Sequence, residues 1–77
     1  MKLVEVKWLD ADNEAGWIEY TKESQDIEPT ISYGLLVDSG DNFTVLSMCY
    51  NPDAEQWINL HRIPNGMVLN MRVIEEV

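Results

Sequence analysis

Residues 31–51 constrain the fold more tightly than any other stretch of the chain, because they read as one β-hairpin. The runs 31–38 and 43–50 are β-branched, aromatic and apolar, and Ser39-Gly40-Asp41-Asn42 supplies the residue types of a four-residue turn between them. With a side-chain period of two, one face carries Ile31, Tyr33, Leu35, Val37, Phe43, Val45 and Cys49; the other carries Leu36, Leu46, Met48 and Tyr50. Neither face is polar. A strand that is apolar on both sides needs cover on both, from a curled sheet or from another subunit. Leu36, Leu46, Met48 and Tyr50 are therefore expected at an oligomer interface. The alternative is that the segment 9–29 folds back over them with Trp17 and Ile18.

The rest of the chain supplies further strands. Residues 2–10 alternate Lys2, Val4, Val6 and Trp8 against Leu3, Glu5, Lys7 and Leu9, and the first set is the more apolar, so it is expected inward. Residues 10–16 have the composition of an exposed loop, and 17–20 suit a short edge strand or a flap that lays Trp17 over the core. Residues 21–29 read as loop, closed by Pro29. Asn51-Pro52 is helix-start chemistry, so 52–56 is expected to form one turn of 3₁₀ helix. A strand over 57–63, a tight turn at Pro64-Asn65-Gly66 and a last alternating strand over 67–76 complete the chain. The expectation is an all-β single domain over 1–77, a five-stranded bent sheet or barrel of Src-homology-3-like or Sm-like type with at most one short helical turn.

Seventy-seven residues bury a thin core, and a second copy would add to it. Five basic residues against fourteen acidic ones give a net charge of −9, which disfavours direct binding to a nucleic-acid backbone, where lysine and arginine supply the affinity. Two-thirds of that net charge lies in 9–29, which holds seven acids and one lysine. Partners are thus expected to present basic or neutral surfaces. A single cysteine excludes an internal disulfide and suits a reducing compartment. With no apolar run near the ~20 residues of a membrane span and no signal-peptide core, the expected location is the cytoplasm.

Catalytic and metal signatures are weak. Asp10-x-Asp12-x-Glu14 begins like a calcium loop, but the sixth and twelfth positions are Ala15 and Thr21 rather than glycine and a carboxylate. His61 and Cys49 are too few for a zinc centre or a nucleophilic pair. No enzyme, metal or cofactor is expected. Tryptophan and tyrosine ringed by acids instead suit a protein-docking face, for which the candidates are Asp10, Asp12, Glu14, Trp17, Glu19, Tyr20 and Trp57. A second possibility is a pocket between subunits lined by His61, Arg62 and Arg72 that sequesters a small nucleotide signal. A third is a structural homo-oligomer with no ligand.

The series Val4-x-Val6-x-Trp8-x-Asp10, Gly16-Trp17, Ser32-Tyr33-Gly34-x-Leu36-Val37, Val45-Leu46 and Ile63-Pro64-Asn65-Gly66-Met67-Val68 resembles a group of small uncharacterised bacteriophage and prophage proteins. It covers most of the chain. The middle of the Ile-Pro-x-Gly-Met turn is often lysine in that group and is Asn65 here, so no role for a basic residue carries over. The resemblance implies a phage origin and, with it, an inhibitor of a host enzyme or of an antiviral-defence protein acting in the host cytoplasm.

Overall fold

The computed structural model of the chain describes residues 1–10, 17 and 28–77. Seven strands run through them: β1 (Lys2–Trp8), β2 (Thr30–Ser39), β3 (Phe43–Ser47), β4 (Cys49–Asn51), β5 (Gln56–Ile58), β6 (His61–Pro64) and β7 (Val68–Glu76). The one helical element among the described residues is a 3₁₀ turn, Asn65–Met67, between β6 and β7. Five strands form an antiparallel sheet in the order β6-β3-β2-β1-β7, and β4 with β5 forms a separate two-stranded ribbon. The last strand therefore lies beside the first, behind a 3₁₀ turn. The sheet bends without closing into a barrel, leaving β6 and β7 as its edges among the described residues.

Alternation decides which side of the sheet is the core. Val4, Val6 and Trp8 of β1, Leu46 of β3 and Ile63 of β6 are buried together, with Leu36, Met67 and Val68 packed at the rim. The first set of β1 faces inward, as its composition indicates. Opposite Val4 and Val6 on β2 stand Gly34 and Ser32, both small. A methyl group added at Gly34 would lie 3.0 Å from the Ser47 carbonyl oxygen and 3.1 Å from Leu46 Cβ. The missing side chain lets β3 fold over β2, which brings Leu46 down onto Val4 and Val6. A register shift between Leu36 and Asp38 adds bend to the same strand pair.

Polar groups complete this small core. Trp8 is 8% exposed, and its indole N–H donates to the Ser32 hydroxyl at 2.9 Å. Buried Thr44 donates its hydroxyl to Asn65 Oδ1 at 2.8 Å. Among the described residues, every buried side-chain nitrogen and oxygen has a partner.

Four elements differ from the sequence expectation. The strand expected over 43–50 breaks at Met48, because the buried Ser47 hydroxyl lies within hydrogen-bonding reach of the Cys49 and Ile58 carbonyls and turns the chain there. The strand expected over 57–63 breaks at Asn59, whose φ of 54° is a left-handed conformation that asparagine tolerates. Together these kinks turn β4 and β5 out of the main sheet as an arm. Residues 52–55 form a hydrogen-bonded turn rather than a 3₁₀ helix, although Asn51 does cap it, its Oδ1 accepting from the Asp53 and Ala54 N–H groups at 3.0 and 3.2 Å. The helical turn lies instead at Asn65–Met67, where a plain tight turn is expected.

Gly34→Ala tests the close approach of β2 and β3. Its Cβ would meet backbone that cannot rotate away, so the variant is expected to lose about 1–3 kcal/mol in urea or thermal unfolding. A Gly34→Ala protein as stable as the parent would show that the two strands do not meet there.

Candidate functional site

The outer face of the sheet carries the side chains that the core leaves out. Registers place Arg72, Glu5 and Tyr33 side by side on β7, β1 and β2. Arg72 donates to Glu5 Oε2 at 2.9 Å, and Tyr33 stands directly across from Glu5 on β2. Around this row Ile31 and Phe43 are exposed, while Leu3, Leu35 and Val45 are half-buried. The face is a ladder of apolar side chains crossed by one charged row.

The charged row has a definite acid–base character. The Arg72 hydrogen bond, reinforced by the Tyr33 hydroxyl, holds the Glu5 carboxyl below its ordinary value. The same carboxylate accepts from the Tyr33 phenol and pushes its pKa above the ordinary value. Glu5 thus contributes stability that is complete above the ordinary carboxylate range and is lost as pH falls through its lowered value. Tyr33 contributes below the ordinary phenol pKa of about 10, and its contribution is lost as pH rises through the raised value.

A second exposed aromatic feature is the β4–β5 arm. Tyr50 and Trp57 stand opposite one another with ring centroids 4.4 Å apart, tilted by 40°. Cys49, Asn51, Gln56 and Ile58 join them around an open hollow of about 300 Å³. Met48 and Ile58 are exposed at the base of the arm. Cys49 is a free, exposed thiol.

The structure separates several residues that the sequence groups together. Leu46 is 2% exposed and lies in the chain's own core with Leu36 packed against it, so neither is free for a second subunit. Met48 and Tyr50 lie beyond the kink, on the arm. The expected interface of Leu36, Leu46, Met48 and Tyr50 is not one surface, because the Gly34 approach turns its first half inward and Ser47 turns its second half aside.

His61, Arg62 and Arg72 are likewise apart in one protomer. His61 pairs across from buried Leu46 and packs edge-on against Trp8, with ring centroids 5.4 Å apart. Arg62, its neighbour on β6, pairs across from Val45 on the other face, and lines a shallow hollow with Asp38, Asp41 and Phe43. Arg72 is on the opposite edge strand, bonded to Glu5.

Of the expected docking residues, Asp10 is exposed at the end of β1, Trp17 is wholly exposed and Trp57 is half-buried against Tyr50. Asp12, Glu14, Glu19 and Tyr20 lie outside the described residues, as does most of the flap expected over 17–20 and of the loop expected over 21–29; Trp17, which that flap is expected to lay over the core, is exposed instead. No group of three or more potential metal ligands comes together among the described residues. No helix among them is long and apolar enough to cross a membrane.

Asn65 is the structural side chain that sequence reasoning missed. Its amide donates to the Gly40 carbonyl at 2.7 Å, its Oδ1 accepts from Thr44, and its backbone N–H donates to the Asn42 carbonyl at 2.9 Å. It ties the β2–β3 turn to the 3₁₀ turn. A lysine at this position could donate to Gly40 but could not accept from Thr44. Compared with protein-family models, with curated proteins and with solved structures, the chain matches none of them.

Two measurements follow from this geometry. In a pH titration read by tyrosine absorbance and by NMR, Tyr33 should ionise above ordinary tyrosine and the Glu5 carboxyl below ordinary glutamate; Glu5→Gln should bring the Tyr33 midpoint back down. An unmoved Tyr33 midpoint in that variant would rule out the shared hydrogen bond. Separately, Asn65→Ala leaves the buried Thr44 hydroxyl without its acceptor and should cost about 1–3 kcal/mol of unfolding free energy. A neutral result would show that Asn65 does not clasp the two turns.

Proposed function

We propose that the chain is a non-enzymatic, phage-like binding protein that inhibits a host or antiviral-defence protein through an acidic, aromatic-containing surface. The observation that carries this reading is Trp17, whose side chain stands wholly in water within the most acidic part of the chain. A tryptophan can bury ~150–250 Å² and anchors binding sites more often than most residues. Left exposed, it adds nothing to the core. The seven acids that flank it in the sequence over 9–29 favour a basic or neutral partner and speed its encounter electrostatically.

Asp10 and Trp17 form the described part of this contact set; Asp12, Glu14, Glu19 and Tyr20 extend it along the sequence, and Trp57 adds the aromatic arm. Ile31, Tyr33 and Phe43 offer further apolar contact on the rigid outer face. Each is exposed enough to be replaced without opening the core.

The test is affinity capture from bacterial lysate with the intact protein and two variants, Trp17→Ala and the triple change Asp10→Asn, Asp12→Asn, Glu14→Gln. The parent should retain a specific protein, and Trp17→Ala should weaken that complex by about thirty-fold at an unchanged melting temperature. The neutralised variant should slow association and lose salt sensitivity. If all three proteins retrieve the same background, the reading fails.

A further inference from the structure

The turn between β6 and β7 combines a reactive step in the sequence with the residue that clasps the fold. The chain has six asparagines, at positions 13, 42, 51, 59, 65 and 70, and only Asn65 precedes a glycine. Asn51 precedes a proline, which has no N–H, and the other four precede residues with a full side chain. The backbone nitrogen after an asparagine can reach its side-chain amide carbon through a five-membered ring. Glycine opposes that closure least, because it has no Cβ and its backbone turns freely. Asn65-Gly66 is therefore the step of this chain most open to deamidation.

The folded chain holds every participant away from that reaction. Asn65 Nδ2, which must leave as ammonia, donates to the Gly40 carbonyl at 2.7 Å, and Oδ1 accepts from the buried Thr44 hydroxyl at 2.8 Å. These two bonds fix the plane of the amide. In the main chain, Asn65 opens the 3₁₀ turn: its N–H donates to the Asn42 carbonyl at 2.9 Å, and its own carbonyl accepts from the Val68 N–H. Ring closure needs the Asn65 Cβ and the Gly66 nitrogen eclipsed about the Cα–C bond, whereas a 3₁₀ ψ of about −20 to −30° keeps them well apart. The side-chain bonds and the turn must open together before Gly66 can attack.

The products cannot rebuild the clasp. With an aspartate at 65, an acceptor oxygen replaces Nδ2 and faces the Gly40 carbonyl, another acceptor. The new charge also arrives at a turn that already holds Asp38 and Asp41; a Cβ added at Gly40 would lie 3.3 Å from an Asp38 carboxylate oxygen. In the isoaspartyl product the main chain runs through the side-chain carbon and gains a methylene, so the 3₁₀ turn loses its spacing. Both outcomes separate the β2–β3 turn from the β6–β7 turn.

We propose that Asn65-Gly66 is a self-modification site that the fold keeps silent, so that opening of the clasp leads to irreversible loss of the clasp itself. The Gly66 nitrogen gives up its proton and bonds to the Asn65 side-chain carbon, the bond to Nδ2 breaks, and ammonia leaves. Water then adds to one of the two carbonyls of the succinimide and opens it to aspartate or isoaspartate. Nothing is oxidised or reduced, and water is the co-reactant. The inference is independent of the acidic contact set around Trp17.

Timed incubation of the full chain at mildly alkaline pH tests it, once in buffer and once in urea, with mass spectrometry following the exchange of NH₂ for OH at each asparagine. In urea Asn65 should convert before the other five; in buffer its conversion should be at least about tenfold slower, because only the opened fraction reacts. Gly66→Ala should fold as the parent does, since nothing lies within 4 Å of an added Cβ, and should slow the reaction in urea about tenfold or more. Asn65→Asp, which still accepts from Thr44, should melt below the parent. Unfolded protein that keeps Asn65 intact or loses another asparagine first overturns the proposal. So do equal rates in buffer and urea, an undiminished rate in Gly66→Ala, or an Asn65→Asp protein that melts with the parent.

Discussion

The absence of a side chain at Gly34 is the condition on which the rest of the packing depends. Val4, Val6, Trp8, Leu46 and Ile63 are the only buried hydrophobic residues among those described, and Leu46 joins them only because β3 passes within 3.0–3.1 Å of where a Gly34 Cβ would be. Once β3 has folded over β2, β6 follows with Ile63, and the 3₁₀ turn carries the chain round to β7 beside β1. The Leu9 N–H, donating to the Met67 carbonyl at 2.8 Å, ties the end of β1 to that turn. A small sheet with one inner face thus obtains its curvature from one close backbone approach and one bulge.

A core this small leans on polar stitching to define a single arrangement. Asn65 holds the β2–β3 turn against the 3₁₀ turn, Ser32 fixes the Trp8 indole, and Ser47 sets the angle of the arm. Each is a short polar side chain whose partner is distant in sequence. Their individual net contributions are on the order of 1 kcal/mol, so together they make a sizeable fraction of the roughly 4–12 kcal/mol by which a domain of this size is stable. The charged row of Arg72, Glu5 and Tyr33 is different in kind: it lies in the solvent-facing layer and sets the titration of that face rather than the packing.

Much of the fold was legible in the sequence because period-two alternation is a local property. The all-β class, the inward set of β1 and the strand positions of β2 and β7 follow from the residues themselves. The sidedness of the hairpin did not, since both of its faces are apolar and the choice between them rests on the contact between Gly34 and Leu46, which only the folded chain brings together. The breaks at Met48 and Asn59 were hidden for the same reason: Ser47 reads as an ordinary strand residue until its hydroxyl meets the Ile58 carbonyl. Site residues fared according to their range. Asp10 is exposed, and so is Trp17, which a flap over 17–20 was expected to lay over the core, whereas the grouping of His61, Arg62 and Arg72 required faces and edges to coincide that β6 and β7 keep apart.

The twin kinks have an evolutionary consequence. Because the chain leaves the sheet at Met48 and returns at Asn59, none of the side chains from 49 to 58 belongs to the buried cluster. That segment behaves as a cassette: its residues, and even the length of its turn, can be exchanged while the five-stranded frame keeps all of its interior contacts. Foldability and the chemistry displayed at the tip of the arm are thereby written in separate parts of a very short text, which leaves one free to diversify while the other is held.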